Sequence, residues 1–393
     1  MSLAHDPLLR GMLQTLRGTL HACAEPSGAE VLTAEVIGTF VRAYEPDALL
    51  TGLGGHGVAA VFEGAWEGPT VLVRAELDGL PVEAARVDGS PIHPPTSHRC
   101  GHDGHMTMVA GLAPVLAARR PDRGRVVLLF QPAEETGEGA RDVVRDPRFA
   151  RIRPDYAVAL HNLPGVPLGT VVYRRGTFAS ASAGMKIRLR GVPSHAAEPG
   201  LARTPTPALA RLLDELPALT DLGAEPYRMV TITHARMGRT SFGVTPGRAV
   251  LWVTLRSAST DGLERLKAEA GSRVHSVAAS LDLGAELSFH DEFPETGSDD
   301  RLVGILEQVC AQEGIPSIER QWPYRWSEDF GHFASLCPVL YFGLGSGDTG
   351  GLHQPSYRFP DDILITGTRA LDGVVRGLTS ALRLGAGEAR EAG

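Results

Sequence analysis

The chain has 393 residues, 43% of them hydrophobic and 21% charged, and carries a formal net charge of -8. A single hydrophobic core stops growing at roughly 250–300 residues, so two domains are expected. The acidic balance, with no cluster of Lys and Arg, argues against nucleic acid or an anionic membrane as partner, because both demand clustered basic residues. No segment reaches the ~18 consecutive apolar residues of a membrane span, and the start lacks a basic region followed by an apolar run, so neither a membrane helix nor a signal peptide is expected. The four cysteines, Cys23, Cys100, Cys310 and Cys337, are scattered without a paired framework. That pattern suits a reducing compartment, and the cytoplasm is the expected location.

In chain order, helical periodicity covers about Leu8 to Ala24 and Ala29 to Ala43, and strand patterns follow at Val58 to Phe62 and Val71 to Glu76. His105 to Ala118 reads as a helix, with Pro114 expected to kink it. Two further strands fall at Val126 to Phe130 and Ala157 to His161. This alternation predicts an α/β domain with a parallel-rich mixed sheet flanked by helices. From about Ala181 the texture changes to alternating strands at Met185 to Arg190, Met229 to His234 and Arg248 to Arg256, with helices near Pro207 to Leu216 and Asp261 to Ser280. Two helices on a mostly antiparallel four-stranded sheet make a second, α+β domain. A helix from Asp299 to Glu313, a strand at Val339 to Phe342 and a helix from Asp361 to Leu382 then complete the pattern.

The chemistry concentrates in Cys100-Gly-His102-Asp103-Gly-His105 and in Pro132-Ala133-Glu134-Glu135, which follows the next strand-like run. A thiolate and an imidazole two residues apart can reach one cation from a loop, and paired glutamates offer a ligand beside a base. His161 and His353 also close strand-like runs, so the candidate ligands are Cys100, His102, Glu135, His161 and His353. Each has a plainer explanation: a buried thiol, a loop histidine, a solvated turn. Together they have the N, O and S content of a two-metal hydrolase. Adjacent residues at a strand end project in opposite directions, which would let one glutamate bind metal while the other faces substrate. Glu134 is assigned as base and Glu135 as ligand, although spacing alone permits the swap. Asp78, which could equally cap a turn, is a candidate to orient a ligating imidazole. His98 and His105 are expected to be structural or supporting. A soft thiolate suits Zn, Co, Ni or Mn, in descending order on affinity grounds, which does not decide the metal bound in the cell. Because His353 follows the second domain and the other candidates precede it, that domain must be an insertion if all five meet. The expected division is 1–180, an inserted lid at 181–287, and 288–393.

Arg74-Ala75-Glu76-Leu77-Asp78-Gly79-Leu80-Pro81, Cys100 to His105, Pro132 to Glu135, Ala159 to Asn162, Ser194-His195-Ala196-Ala197, Ser327 to Phe330 and Leu352 to Tyr357 together resemble the metalloaminoacylase family. That family contains hippurate hydrolase, N-acyl-amino-acid amidohydrolases and plant auxin-conjugate hydrolases. The resemblance implies a catalytic α/β domain holding two divalent metal ions, and an inserted ferredoxin-like lid through which many relatives dimerise, so a homodimer is open to this chain. It implies the five ligands named above, Glu134 as base for the attacking water, and a catalytic role for His195, the lid histidine that reaches a partner's site in dimeric relatives. The implied substrate is an N-acyl amino acid; a dipeptidase or carboxypeptidase, and a metal-stabilised binding protein without catalysis, are the alternatives. Relatives usually show Asp where Glu76 stands, often Ala where Gly79 stands, and in many cases Asn where Gly243 stands. The last difference would remove a side-chain donor to the substrate. Arg256 could pair with a substrate carboxylate or form a structural ion pair.

Overall fold

The computed structural model describes residues 6–81 and 96–380. The chain divides into two compact units: one runs up to Phe178 and resumes at Thr296–Trp322 and from Asp329, and the other comprises Ala179–Glu295 with Pro323–Glu328.

The first unit is built on an eight-stranded sheet. At its centre Arg123–Gln131, Trp66–Glu76, Tyr156–Pro164 and Val339–Gly347 lie side by side and parallel. Val71–Val73, Val126–Phe130, Ala157–Leu160 and Val339–Phe342 are fully or almost fully buried, as expected of parallel strands covered on both faces. Ala48–Leu53 and Gly57–Glu63 extend the sheet antiparallel on one side. Helix Pro7–Ala22 presents Leu9, Leu13, Leu16 and Leu20 to this core, a spacing that keeps them on one helical face. Its start is set by Asp6, whose carboxylate accepts from the Leu8 and Leu9 amides ahead of Pro7. Since the central strands are parallel, their carboxyl ends share one edge of the sheet, the position at which open α/β sheets bind ligands.

The helix expected over His105 to Ala118 is instead two, His102–Ala110 and Leu112–Ala118. The interruption falls at Gly111, upstream of Pro114, because Pro114 has no N–H for the Ala110 carbonyl and its ring crowds that carbonyl. The first helix also starts earlier than expected. Gly101, at φ +95°, turns the chain into it, and a Cβ there would sit 2.2 Å from Asn162 Oδ1.

The second unit is a four-stranded antiparallel sheet in the order Arg228–Met237, Arg248–Ser257, Ala181–Arg190, Gly284–Phe293. Helices Thr206–Glu215 and Thr260–Ala279 cover one face, burying Ala183, Met185, Ile187, Leu251, Val253 and Leu255 against Leu209, Leu212, Leu266 and Val274. The strand Gly284–Phe293 runs across position 287 and pairs with Ala181–Arg190 throughout, so the sheet of this unit continues past that point. Both the parallel-rich mixed sheet and the α+β insertion match the expected fold class. Among the described residues no helix is long and apolar enough to cross a membrane.

Candidate metal centre

Five of the residues singled out from the sequence meet at the shared edge of the first unit's sheet. Cys100 Sγ lies 3.3 Å from His161 Nε2 and 3.3 Å from His353 Nε2. His102 Nε2 is 3.7 Å from Glu135 Oε1, which is 3.8 Å from His353 Nε2. Cys100, His102 and His161 form one group with ligand atoms within 4.8 Å of one another, and Cys100, Glu135 and His353 form a second. A shared sulfur between two such groups can serve two cations.

Each side chain reaches this point by a different route. His161 stands inside the strand Tyr156–Pro164, not at its close, and points its Nδ1 at the Asn162 carbonyl, 2.8 Å away. His353 follows the strand Val339–Gly347 in a left-handed conformation, φ +65°, tied to the Arg99 carbonyl through its amide. Glu134 and Glu135 sit in the turn beyond Gln131, so their divergence does not come from strand alternation. It comes from the turn, whose Ala133 adopts φ +52°. The sequence pattern could not show this, because the strand-like run and the turn read continuously.

The donor set fits cations. His102 Nδ1 lies 2.8 Å from the Asp78 backbone oxygen, while His102 Nε2 is buried and makes no hydrogen bond among the described residues; a buried, unsatisfied imidazole nitrogen of that kind is costly unless something else accepts its lone pair. Burial, followed by the charges of Glu135, Glu134 and Glu76, pushes the Cys100 thiol well above its usual range. A nearby cation reverses that logic, since a coordinating thiol is deprotonated outright. Burial opposes charge on His102, but the bond to Asp78 and the carboxylates around it prevail and raise it to about 10, so a cation binding at Nε2 takes the place of a proton. Burial and then His105 hold His161 well below its usual range, and burial and then His102 lower His353, so both rings are neutral and ligand-ready.

Asp78 is fully buried and its Oδ2 accepts from Ser27 Oγ at 2.7 Å and from the Glu135 amide at 3.0 Å, while Oδ1 lies 3.5 Å from His102 Nδ1. It therefore touches both a histidine and a glutamate of the cluster. Behind it lies a network that includes His105, expected to be structural or supporting. Arg74, wholly buried, donates to Gln131 at 2.8 Å, to Asp329 at 2.6 Å and to Glu76. Glu76 in turn meets His105 Nδ1 at 2.8 Å, and His105 Nε2 lies 2.6 Å from Asn162 Oδ1. Burial opposes ionisation of Glu76, yet Arg74 and His105 hold it well below the usual carboxylate range. Arg74 and Glu76 two apart on one strand face were the available signal. His105 supports the site from behind through Glu76 and Asn162. His98 is buried with neither ring nitrogen bonded among the described residues, and burial lowers it to about 4.

His195 belongs to the second unit, exposed on a loop that bridges to Val244, with its Nδ1 accepting from the Ala197 amide at 3.1 Å. Gly243 lies on the facing loop, and a Cβ there would meet nothing within 4 Å. Arg256 forms no ion pair among the described residues; it donates to the Arg325 carbonyl at 3.0 Å and to Ser327 Oγ at 2.9 Å. The structural ion pair considered for it is thus not made among the described residues.

Residues 72–377 match the model of peptidase family M20/M25/M40. The chain belongs to that family. It is 31% identical over 355 residues to an N-acetyldiaminopimelate deacetylase of Exiguobacterium sibiricum, covering 88% of this chain and 94% of the relative. An N-acetyl-L-cysteine deacetylase of Bacillus subtilis is 27% identical over 366 residues, covering 91% and 86%. Among solved structures, the Bacillus subtilis YXEP protein, a dinuclear metal binding peptidase of the M20 family, superposes with a TM-score of 0.79 at 23% identity, covering 95% of this chain and 99% of that one. The resemblance drawn from the motifs therefore holds, and this family member is a metal-dependent hydrolase of amide bonds, aminoacylase-like.

Proposed function

We propose that this M20-family hydrolase releases an acyl group from the nitrogen of an amino acid or a similar amine-bearing acid, using two divalent cations held by Cys100, His102, Glu135, His161 and His353. The observation that carries the proposal is the convergence of these residues from four separate stretches of chain on one edge of the sheet, with Glu134 beside them, its Oε2 3.9 Å from His102 Nε2. The cations, when bound, supply Lewis acidity to the acyl carbonyl and acidify the attacking water. Glu134 takes the proton of that water and returns it to the departing amine, which leaves as the C–N bond breaks. Asp78 orients His102 and Glu135. His195 stabilises the oxyanion, and Arg256, a guanidinium without a carboxylate partner among the described residues, takes the substrate carboxylate. The metals are drawn from Mn, Zn, Co and Ni, the protein works in the cytoplasm as a homodimer through the second unit, and no nucleic acid or membrane takes part. Both curated relatives described above are deacetylases, so neither the peptidase nor the inactive-pocket alternative gains support from them.

The test is a panel of N-acetyl, N-benzoyl and long-chain acyl amino acids, with dipeptides beside them, assayed after loading with Mn, Co or Zn. Turnover of acyl amino acids, lost with chelator and restored by metal, is expected. Glu134→Gln should keep its metal and lose ~10²–10⁴ in kcat. Unchanged turnover in that variant refutes the assignment of the base.

A further inference from the structure

Glu30 has no exposed surface, yet it is a carboxylate on the loop between the first two helices. It stands at the position that caps helix Val31–Arg42 but makes no side-chain capping bond to it. That duty falls to Glu25, whose Oε2 accepts from the Thr33 amide at 2.9 Å and from Thr33 Oγ1 at 3.1 Å. Glu30 Oε1 instead accepts from the Gly28 amide at 2.8 Å and from the Ala133 amide at 2.8 Å, 103 residues away. Its Oε2 has no hydrogen-bond partner among the described residues. Burying a carboxylate at this cost needs a reason beyond helix starting.

The reason lies in what Ala133 does. It is a non-glycine residue at φ +52°, immediately before Glu134, a left-handed conformation that is unfavourable for an L-residue. On the far side of Glu134, the Glu135 amide donates to Asp78 at 3.0 Å. Two buried carboxylates, Glu30 and Asp78, thus hold the amides on either side of Glu134. The turn is closed further by the Gly139 amide donating to the Ala133 carbonyl at 3.0 Å and the Gly137 amide to the Glu134 carbonyl at 2.8 Å.

We infer that Glu30 is a positioning residue for the reaction: through its bond to the Ala133 amide it keeps the turn in the strained conformation that aims Glu134 at the attacking water. This rests on the reading of Glu134 as base. Among the described residues the hydrogen bonds of Glu30 go to the Gly28 and Ala133 amides, and the Glu135 amide stays tied to Asp78, so removal of Glu30 acts on the aim of Glu134 and leaves the cation site in place. A displacement of about 1 Å of a reacting group can cost ~10²-fold.

Glu30→Ala is expected to lower kcat about 10- to 100-fold on the best N-acyl amino acid of the panel, with KM within about threefold. Bound metal per chain stays at the wild-type value. Glu30→Asp, one methylene shorter and still charged, lowers kcat about tenfold and carries the test should the alanine variant not fold. In hydrogen exchange followed by mass spectrometry, the peptide spanning 131–137 exchanges faster in both variants. Ala133→Gly removes the conformational penalty Glu30 opposes, so adding it to either variant restores kcat at least threefold. Wild-type kcat in a folded, metal-loaded Glu30 variant overturns the inference. So does an activity loss that merely tracks lost metal, or a double variant with no recovery. Glu134→Gln run alongside separates the two readings: if it turns over normally, the assignment of the base has failed, and if it is inactive while the Glu30 variants are normal, only the role of Glu30 has failed.

Discussion

Replacing Asp78 by Asn changes one atom and removes one charge at the point where the proposed ligands are held. The isosteric amide oxygen can still accept from Ser27 Oγ and from the Glu135 amide, now 2.7 and 3.0 Å from Asp78 Oδ2, so the fold should be kept. What is lost is charge assistance. A hydrogen bond to a charged group is worth ~1.5–3 kcal/mol against ~0.5–1.5 kcal/mol for a neutral one, so the Glu135 amide bond weakens by about 1 kcal/mol. A similar loss is expected at His102, whose Nδ1 lies 3.5 Å from Oδ1 and whose elevated protonation range depends first, against burial, on Asp78. The two together amount to about 2 kcal/mol, or roughly thirtyfold in the metal dissociation constant. That agrees with the 10- to 100-fold range typical of partners that orient ligands. The measurement is a competitive titration of apoprotein with Mn or Zn against a calibrated chelator, with circular dichroism to establish folding. A folded Asp78→Asn variant whose affinity stays within about threefold of wild type would refute the orienting role.

Two further outcomes can be checked with standard assays. Asp103, fully buried, pairs with His21 at 2.8 Å and Arg17 at 3.1 Å; burial raises its pKa, but His21, His98 and Arg17 more than offset this and lower it. A depressed carboxyl adds stability above its unfolded pKa of about 3.9, and that stability is lost as pH falls through the folded value, so wild-type Tm should drop more steeply below pH ~4 than that of Asp103→Asn. At pH 7 the variant should be about 1–2 kcal/mol less stable, because charge-assisted bonds become neutral ones while Arg17 keeps Asp361 and His21 is half exposed, and a Tm equal to wild type at neutral pH would contradict the pairing. Gly243→Asn enters open space and should restore a donor worth about tenfold in kcat/KM for acyl amino acids while leaving acyl amines, which lack the carboxylate, unchanged. An equal effect on both substrate types would exclude a carboxylate contact.

Several features of the molecule were legible along the chain. The buried strands announced themselves as short apolar runs, because parallel strands covered on both faces have no polar side to interrupt them. The residues proposed to hold metal drew notice because thiol, imidazole and carboxylate recurred just after or within such runs, where sheet topology gathers ligands. The insertion followed from one ordering argument, that His353 must come back past an intervening domain to join Cys100. The structure brings those two within 3.3 Å.

Other features depended on contacts that no local pattern encodes. The left-handed Ala133 and His353, and the bonds that tie Arg74 to Asp329 and Glu76 through His105 to Asn162, arise from partners far away in the chain. Glu30 is the clearest case. Read locally it is an ordinary polar residue before a helix, and only folding brings its carboxylate to the Ala133 amide. Residue types and their order determine which chemistry this protein can perform, since they reflect short-range propensity and ligand character. The aim of each group was decided by tertiary structure, because a buried hydrogen bond between distant segments stores its information in geometry and leaves no period in the sequence.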